Sequence, residues 1–425
     1  MMLLGLLLAV QVAATDTMPR VTLAEALERA TQLDPNYVAA LGQIDNAAWG
    51  RRAAYLAFIL PSITVQGSYQ VSSSPSFNIG TGAASKTFAF AQLTGQYELF
   101  AGGRKFADLA AAKAQLTGAR AGELEARFAA ALLTESAYYD LVSNRELTEV
   151  ARQRVARAEE QLVVARARVL SGAAVQTDSL RLLLELTRAR VDLLREESRL
   201  RVSRLTLGSL IGAAGPVDAA PLPSGPAPDL PLSLEEAVAE ALEQGPSYRV
   251  ARANEQSAGA QLWAQRSAWL PQVGLSANTS AFDVKVFPNA TKRSTLSIGV
   301  SLPIWDGGRR EIGITQARVN RDVARAIRED LERSARPDVT QAYDQYLTSR
   351  AATDLAAQAV VVAEENYRVQ QARYRSGATD ILDLLEAQVN LSDAQAGLVQ
   401  SRTATRLALA GLEAILGRRL FTGKD

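Results

Sequence analysis

Cysteine and histidine are both absent from the 425 residues. Without cysteine there are no disulfides and no thiol nucleophile, and without either residue most zinc sites are excluded. Without histidine there is no imidazole acid–base catalysis. Neither a GxGxxG nor a GxxxxGK[ST] phosphate loop is present. The one catalytic reading left is an enzyme built on carboxylates and lysine, so the sequence predicts no enzyme, no cofactor and no metal site. An excess of one charge is missing too: 46 basic residues face 45 acidic ones, which implies no nucleic-acid partner. No later apolar run approaches the ~18–20 residues of a membrane-spanning helix. At the start, an apolar stretch from Leu3 to Val10 precedes Val12-Ala13-Ala14, while the first positive side chain is Arg20. Even without a basic n-region, this reads as an export signal over residues 1–14.

Glycine and proline are scarce in long tracts, and that scarcity organises the chain. Residues 338–376 and 378–396 contain neither, and Gly377 stands between them. Glycine ends helices because it takes the left-handed conformation without a Cβ penalty. Thr379 or Asp380 can cap the helix that follows, with Asp383 in its first turn. Ser376-Gly377-Ala378 repeats Ser171-Gly172-Ala173 at a spacing of 205 residues. So does Trp305-Asp306-Gly307-Gly308-Arg309 with Phe100-Ala101-Gly102-Gly103-Arg104. TLAEALERATQLDPNY (22–37) is echoed by SLEEAVAEALEQGPSY (233–248). The chain is therefore a tandem repeat, 15–212 and 233–417, with a tail at 418–425. Between the halves, 213–232 is a Pro-rich connector expected to form neither helix nor sheet.

Each half reads as a short helix, a break at Asp34-Pro35 or Gly245-Pro246, a longer helix, two strands and a long helical hairpin, about 103–212 and 308–417. A helix from Gly103 to Ser171 would extend roughly 100 Å. Pro337 should kink its helix near Ser334, at a cost of ~3 kcal/mol. The strands fall at about 62–73, 86–99, 272–283 and 294–304, where apolar residues such as Ile63, Val65, Leu296, Ile298 and Val300 alternate with polar ones. Polar loops at 73–85 and 284–293 join each pair. Phe88 and Phe90 fall out of phase with Leu93, Tyr97 and Leu99, which predicts a bulge.

A half-buried sheet and a transmembrane β-barrel share this alternation. Four strands cannot close a barrel, whose common minimum is about eight, and no second sheet exists to cover them. Lipid does not tolerate open edges, so closure would require strands from several chains. Tyr69, Phe100, Trp269 and Trp305 at strand ends suit either a membrane–water girdle or a core. A secreted coiled-coil scaffold or adhesin with a small β cap remains the alternative.

The doubled plan, the F/W-x-G-G-R segments and the two S-G-A tips resemble the TolC family of outer-membrane efflux proteins over residues 20–417. The resemblance implies a mainly α fold with a transmembrane β part. Long helical hairpins would build a periplasmic α-barrel tunnel, and four strands per chain would contribute to a shared twelve-stranded barrel of a homotrimer. It implies an outer-membrane channel of a tripartite efflux pump or type I secretion system, set in outer-membrane lipid. Its partners would be a periplasmic adaptor and an inner-membrane pump of RND, ABC or MFS type. With no cysteine to lipidate, the lipoprotein subgroup is excluded.

By the same resemblance the helix tips close the tunnel as an iris, and Asp383 and Glu386 match its narrowest rings. They lie i and i+3 on one helix face. Asp178 matches the first acid at the other tip, where Arg181 replaces the second. Tyr374 matches a tyrosine that latches the closed state by hydrogen bonding near Asp178. Thr379 stands where the family has a latch arginine, which implies a weaker closed state. Ser171 to Ala173 and Ser376 to Ala378 would face the adaptor. Carboxylates in a first helical turn are also favoured by the helix dipole at ~0.3–1 kcal/mol, whatever their function.

Overall fold

The computed structural model describes residues 18–78, 82–222, 225–284 and 290–421. The expected signal segment 1–14 and the end of the tail, 422–425, lie outside them. In the first half a short strand β1 (Arg20–Val21) precedes α1 (Leu23–Leu33), α2 (Pro35–Leu56), β2 (Ser62–Asn78), β3 (Ala83–Ala101), α3 (Arg104–Leu170) and α4 (Gln176–Leu210). The second half follows β4 (Asp218–Ala219) with α5 (Leu234–Gln244), α6 (Pro246–Arg266), β5 (Gln272–Asp283), β6 (Thr291–Ser301), α7 (Arg309–Ser376) and α8 (Ile381–Leu416).

Local chemistry fixes the helix boundaries. The Asp34 carboxylate accepts from the backbone N–H groups of Asn36 and Tyr37 at 2.8 and 2.9 Å, so proline can open α2 at no cost in hydrogen bonds. At α5, Ser233 and Glu236 close a reciprocal capping box. The α7 helix runs without interruption through Pro337.

The chain divides into two compact units. One comprises residues up to 38, 126–237 and 338 onward. In it, β1 pairs parallel with β4, correcting the expectation that the connector holds no sheet. Asp218 and Ala219 retain the backbone donors that the neighbouring prolines lack. Tyr138, 1% exposed, donates to the Ala220 carbonyl at 3.1 Å, and Arg145 and Arg204 both reach the Asp218 carboxylate. Leu141, Leu207, Ile211 and Val217 fill the core around them.

The other unit, 39–125 and 238–337, holds a four-stranded antiparallel sheet in the order β2-β3-β5-β6. The strands extend further into the polar loops than their side-chain pattern foretold. Backbone pairing needs no apolar side chain, and Ser76↔Ser85 is paired. The last strand ends at Ser301 rather than Ile304, because Pro303 has no N–H to offer a ladder. The bulge expected to bring Phe88 and Phe90 into phase with Leu93 is not there; the register of β3 against β5 shifts instead at Leu99, between Glu98 and Phe100. From Thr87 to Gln96 the register against β2 is unbroken, so Phe88 and Phe90 do lie on the face opposite Leu93.

One face of this sheet is apolar and open. Ile63, Val65, Val71, Leu296, Ile298 and Val300 are each between 67% and 75% exposed. Their registered partners, including Leu93, Leu275 and Val273, carry the same face across β3 and β5. The opposite face presents Gln66, Gln92, Ser276, Asn278 and Ser297. Gln92 donates to Asn278 at 3.3 Å, and Ser276 and Ser297 share a hydrogen bond of 2.7 Å. Burying a valine, leucine or isoleucine is worth about 1.5–3 kcal/mol, so the open face is a large unmet hydrophobic demand. Among the described residues no helix is long and apolar enough to cross a membrane.

Candidate functional site

The two helical hairpins of the first unit end in tips of one design. Gly172 and Gly377 hold φ of +75° and +81°. The N–H of Ala173 returns to the Arg168 carbonyl at 2.8 Å and that of Gly172 to Val169 at 3.1 Å. Ala378 and Gly377 repeat this to Arg373 and Tyr374 at the same distances. This double bond pattern, the Schellman motif, satisfies carbonyls that a helix end would otherwise orphan. Ser171 and Ser376 each donate to the carbonyl three residues back at 3.0 Å.

The helices that leave the tips differ. Of the two candidate caps, Asp380 is the one used: its carboxylate accepts from Leu382 and Asp383 N–H at 2.8 and 3.2 Å. Thr379 instead donates its hydroxyl to the Asp383 carboxylate. At the first tip Val175 occupies the cap position and supplies no side-chain bond.

Behind the tips, Leu162, Ala165, Leu182, Ile381, Leu384 and Tyr374 form a core drawn from all four long helices. Asp383 and Glu386 are exposed, whereas Leu384, Ala387 and Gln388 beside them are buried. The two acids thus share the outward face of α8, and Asp178 is half-buried. Tyr374 is 2% exposed and its hydroxyl has no hydrogen-bond partner, so the expected bond near Asp178 is not made. Burial raises the pKa of its phenol, and the Asp178 charge adds to the rise.

What holds Tyr374 is Arg168. Its guanidinium lies 4.5 Å from the ring centroid, donates to the Tyr374 carbonyl, and reaches the Ala173 carbonyl at 3.2 Å. One side chain of α3 thereby ties both tips together. Arg375 adds an ion pair to Glu160 at 2.5 Å, and Gln161 donates to the Tyr367 hydroxyl at 2.6 Å. Sequence reading missed Arg168. Its signal was there: RVLSG (168–172) and RYRSG (373–377) repeat the arginine four residues before each tip glycine.

The girdle candidates lie in the second unit. Phe100 (47% exposed) closes β3 on the apolar face, Trp269 stacks under Arg310 at 4.1 Å just before β5, and Trp305 (80% exposed) follows β6. Tyr69 is also on the apolar face but sits in mid-strand, since β2 continues to Asn78.

The sequence matches the family described as outer membrane efflux protein over residues 22–213 and 237–418. Outer membrane efflux protein BepC of Brucella suis is 26% identical over 268 residues, which is 63% of this chain and 58% of that protein. Protein CyaE of Bordetella pertussis is 26% identical over 77% of this chain and 71% of its own length. Among solved structures, a membrane protein from Pseudomonas aeruginosa superposes with a TM-score of 0.80 at 21% identity, covering 94% of this chain and 91% of that one. The outer membrane protein VceC of Vibrio cholerae gives 0.78 at 19%, covering 94% and 97%. The fold is thus a known one.

Proposed function

The chain belongs to the outer membrane efflux protein family, and from that we propose that it is the outer-membrane exit channel of a tripartite export machine. It would passively conduct substrates handed on by a periplasmic adaptor and an inner-membrane pump. The observation that carries the reading is the sheet. Its apolar face is open, and β2 and β6 each have only one described neighbour. Lipid satisfies the first condition and forbids the second. Joining edges with identical copies removes the second while lipid covers the first, and three copies of four strands make one closed twelve-stranded barrel.

On this reading α3, α4, α7 and α8 of the three chains wall a periplasmic tunnel. The tips gate it by opening as an iris, and Ser171 to Ala173 and Ser376 to Ala378 meet the adaptor's hairpins. Symmetry would turn Asp383 and Glu386 into two stacked anionic rings that favour cations. Arg168 serves as the intrachain tie that keeps Tyr374 against the first tip.

The test uses the absence of native cysteine. Gln66→Cys on β2 and Thr295→Cys on β6 are introduced together, and membranes are treated with a bifunctional thiol linker after washing with alkaline carbonate. A ladder ending at three chains, retained in the washed membrane, is the expected result. A chain released by carbonate would instead mark a secreted scaffold.

A further inference from the structure

We propose that the polar face of the sheet carries a binding site for small aromatic anions, built from Phe88, Phe90, Phe282, Lys86 and Arg293. Elsewhere on that face the described strand positions are mainly Ser, Thr, Gln, Asn and Gly, as contact with water demands. Three phenylalanines break the rule at one level. Phe90 and Phe282 are registered partners across β3 and β5, and Phe88 lies beside Phe90 with ring centroids 6.3 Å apart and planes inclined by 18°. The unbroken register from Thr87 to Gln96 fixes their side, so they do not belong to the lipid-type face.

Charge completes the site. Arg293 is the registered partner of Ser280, two residues from Phe282, and so shares its face. Lys86 lies two residues before Phe88, and both cations line one cleft of about 690 Å³ with the three rings. That volume is in the range of small-molecule sites. The three rings are half-buried, so each keeps apolar surface that a ligand can still cover, and the nearby guanidinium and ammonium groups can pair with the ligand's anionic group. A flat aromatic body carrying a sulfonate, carboxylate or phosphate satisfies the rings and the cations together. An aliphatic anion engages only the charges, and an aromatic cation is repelled by them.

That such a ligand is cargo in transit rests on the exit-channel reading; the site itself does not. The experiment is equilibrium dialysis of 1-naphthalenesulfonate against the full chain in lipid nanodiscs, with butanesulfonate and benzyltrimethylammonium as comparison probes. Naphthalenesulfonate should bind saturably and about tenfold more tightly than either. Phe90→Ser and Phe282→Ser should each weaken it about tenfold, Arg293→Gln by about three- to tenfold, and Phe90→Tyr hardly at all. Equal binding of butanesulfonate, or unchanged affinity in the serine variants, overturns the proposal. If Phe90→Ser fails to assemble, Arg293→Gln and Phe282→Tyr decide, since loss in the first with retention in the second is required. Conductance of the same preparations is read separately: bound probe with no conductance defeats the channel reading and leaves the site standing.

Discussion

Two adjacent glycines separate backbone strain from crowding. Gly102 and Gly103 have φ of +59° and +88°, so alanine is strained at both, at roughly 1–2 kcal/mol. A Cβ at Gly103 would meet open space, whereas at Gly102 it would lie 2.6 Å from the Ser267 carbonyl oxygen and 2.7 Å from Leu270 Cβ. Gly102→Ala should therefore destabilise by about 1–3 kcal/mol more than Gly103→Ala, as measured by thermal or urea unfolding. Arg168→Ala removes two carbonyl contacts and a ring contact at once. Amide exchange over residues 374–380 should accelerate about tenfold or more, while exchange in the sheet stays unchanged. Tyr139 gives a pH test. Burial, with the nearby Glu135 charge adding to it, pushes its phenol up to about 12 from an ordinary value near 10. An acid raised in the folded state lends stability that is whole below pH 10 and lost as pH climbs through 12. Wild type should lose about 2–3 kcal/mol more than Tyr139→Phe across that window, read by denaturant titration at each pH.

Helix ends respond to what stands at the cap. Asp380 closes two orphan N–H groups, so Asp380→Ala should cost about 0.5–2 kcal/mol. Its counterpart Val175 has similar extended dihedrals, φ −86° and ψ 152°, and no side-chain bond. Val175→Asp should stabilise the first tip by about 1 kcal/mol, seen as a higher melting temperature. Most element boundaries were legible because glycine and proline mark them: Pro35, Pro246, Gly172 and Gly377 each stand at a helix end. The small β1–β4 pair was not, because two residues make no periodic pattern and their partner lies nearly two hundred positions away. Strand ends were overrun for a related reason, since serine-rich backbone pairs as well as any other. At the tips the sequence pointed to the acids and Tyr374 but not to the contact that holds Tyr374. Arg168 reads as one surface arginine among many until the hairpins bring it over a ring 206 residues distant.

At the level of the assembled molecule, the proposed gate makes an electrical prediction. Replacing Asp383 and Glu386 together by alanine should raise single-channel conductance and reduce cation preference severalfold in planar bilayers. Unchanged currents would remove the two acids from the gate.

On the proposed trimeric reading, the flanks of β2 and β6, each with one described neighbour, have a genetic consequence. A polypeptide that finishes folding only against its siblings would share their fate, so a defective allele would harm the healthy one. If Ile298→Pro and Val300→Pro spoil one flank, equal co-expression with the wild type would leave only about one assembly in eight free of damaged members. The phenotype would be dominant, and its severity would report how many siblings each particle contains.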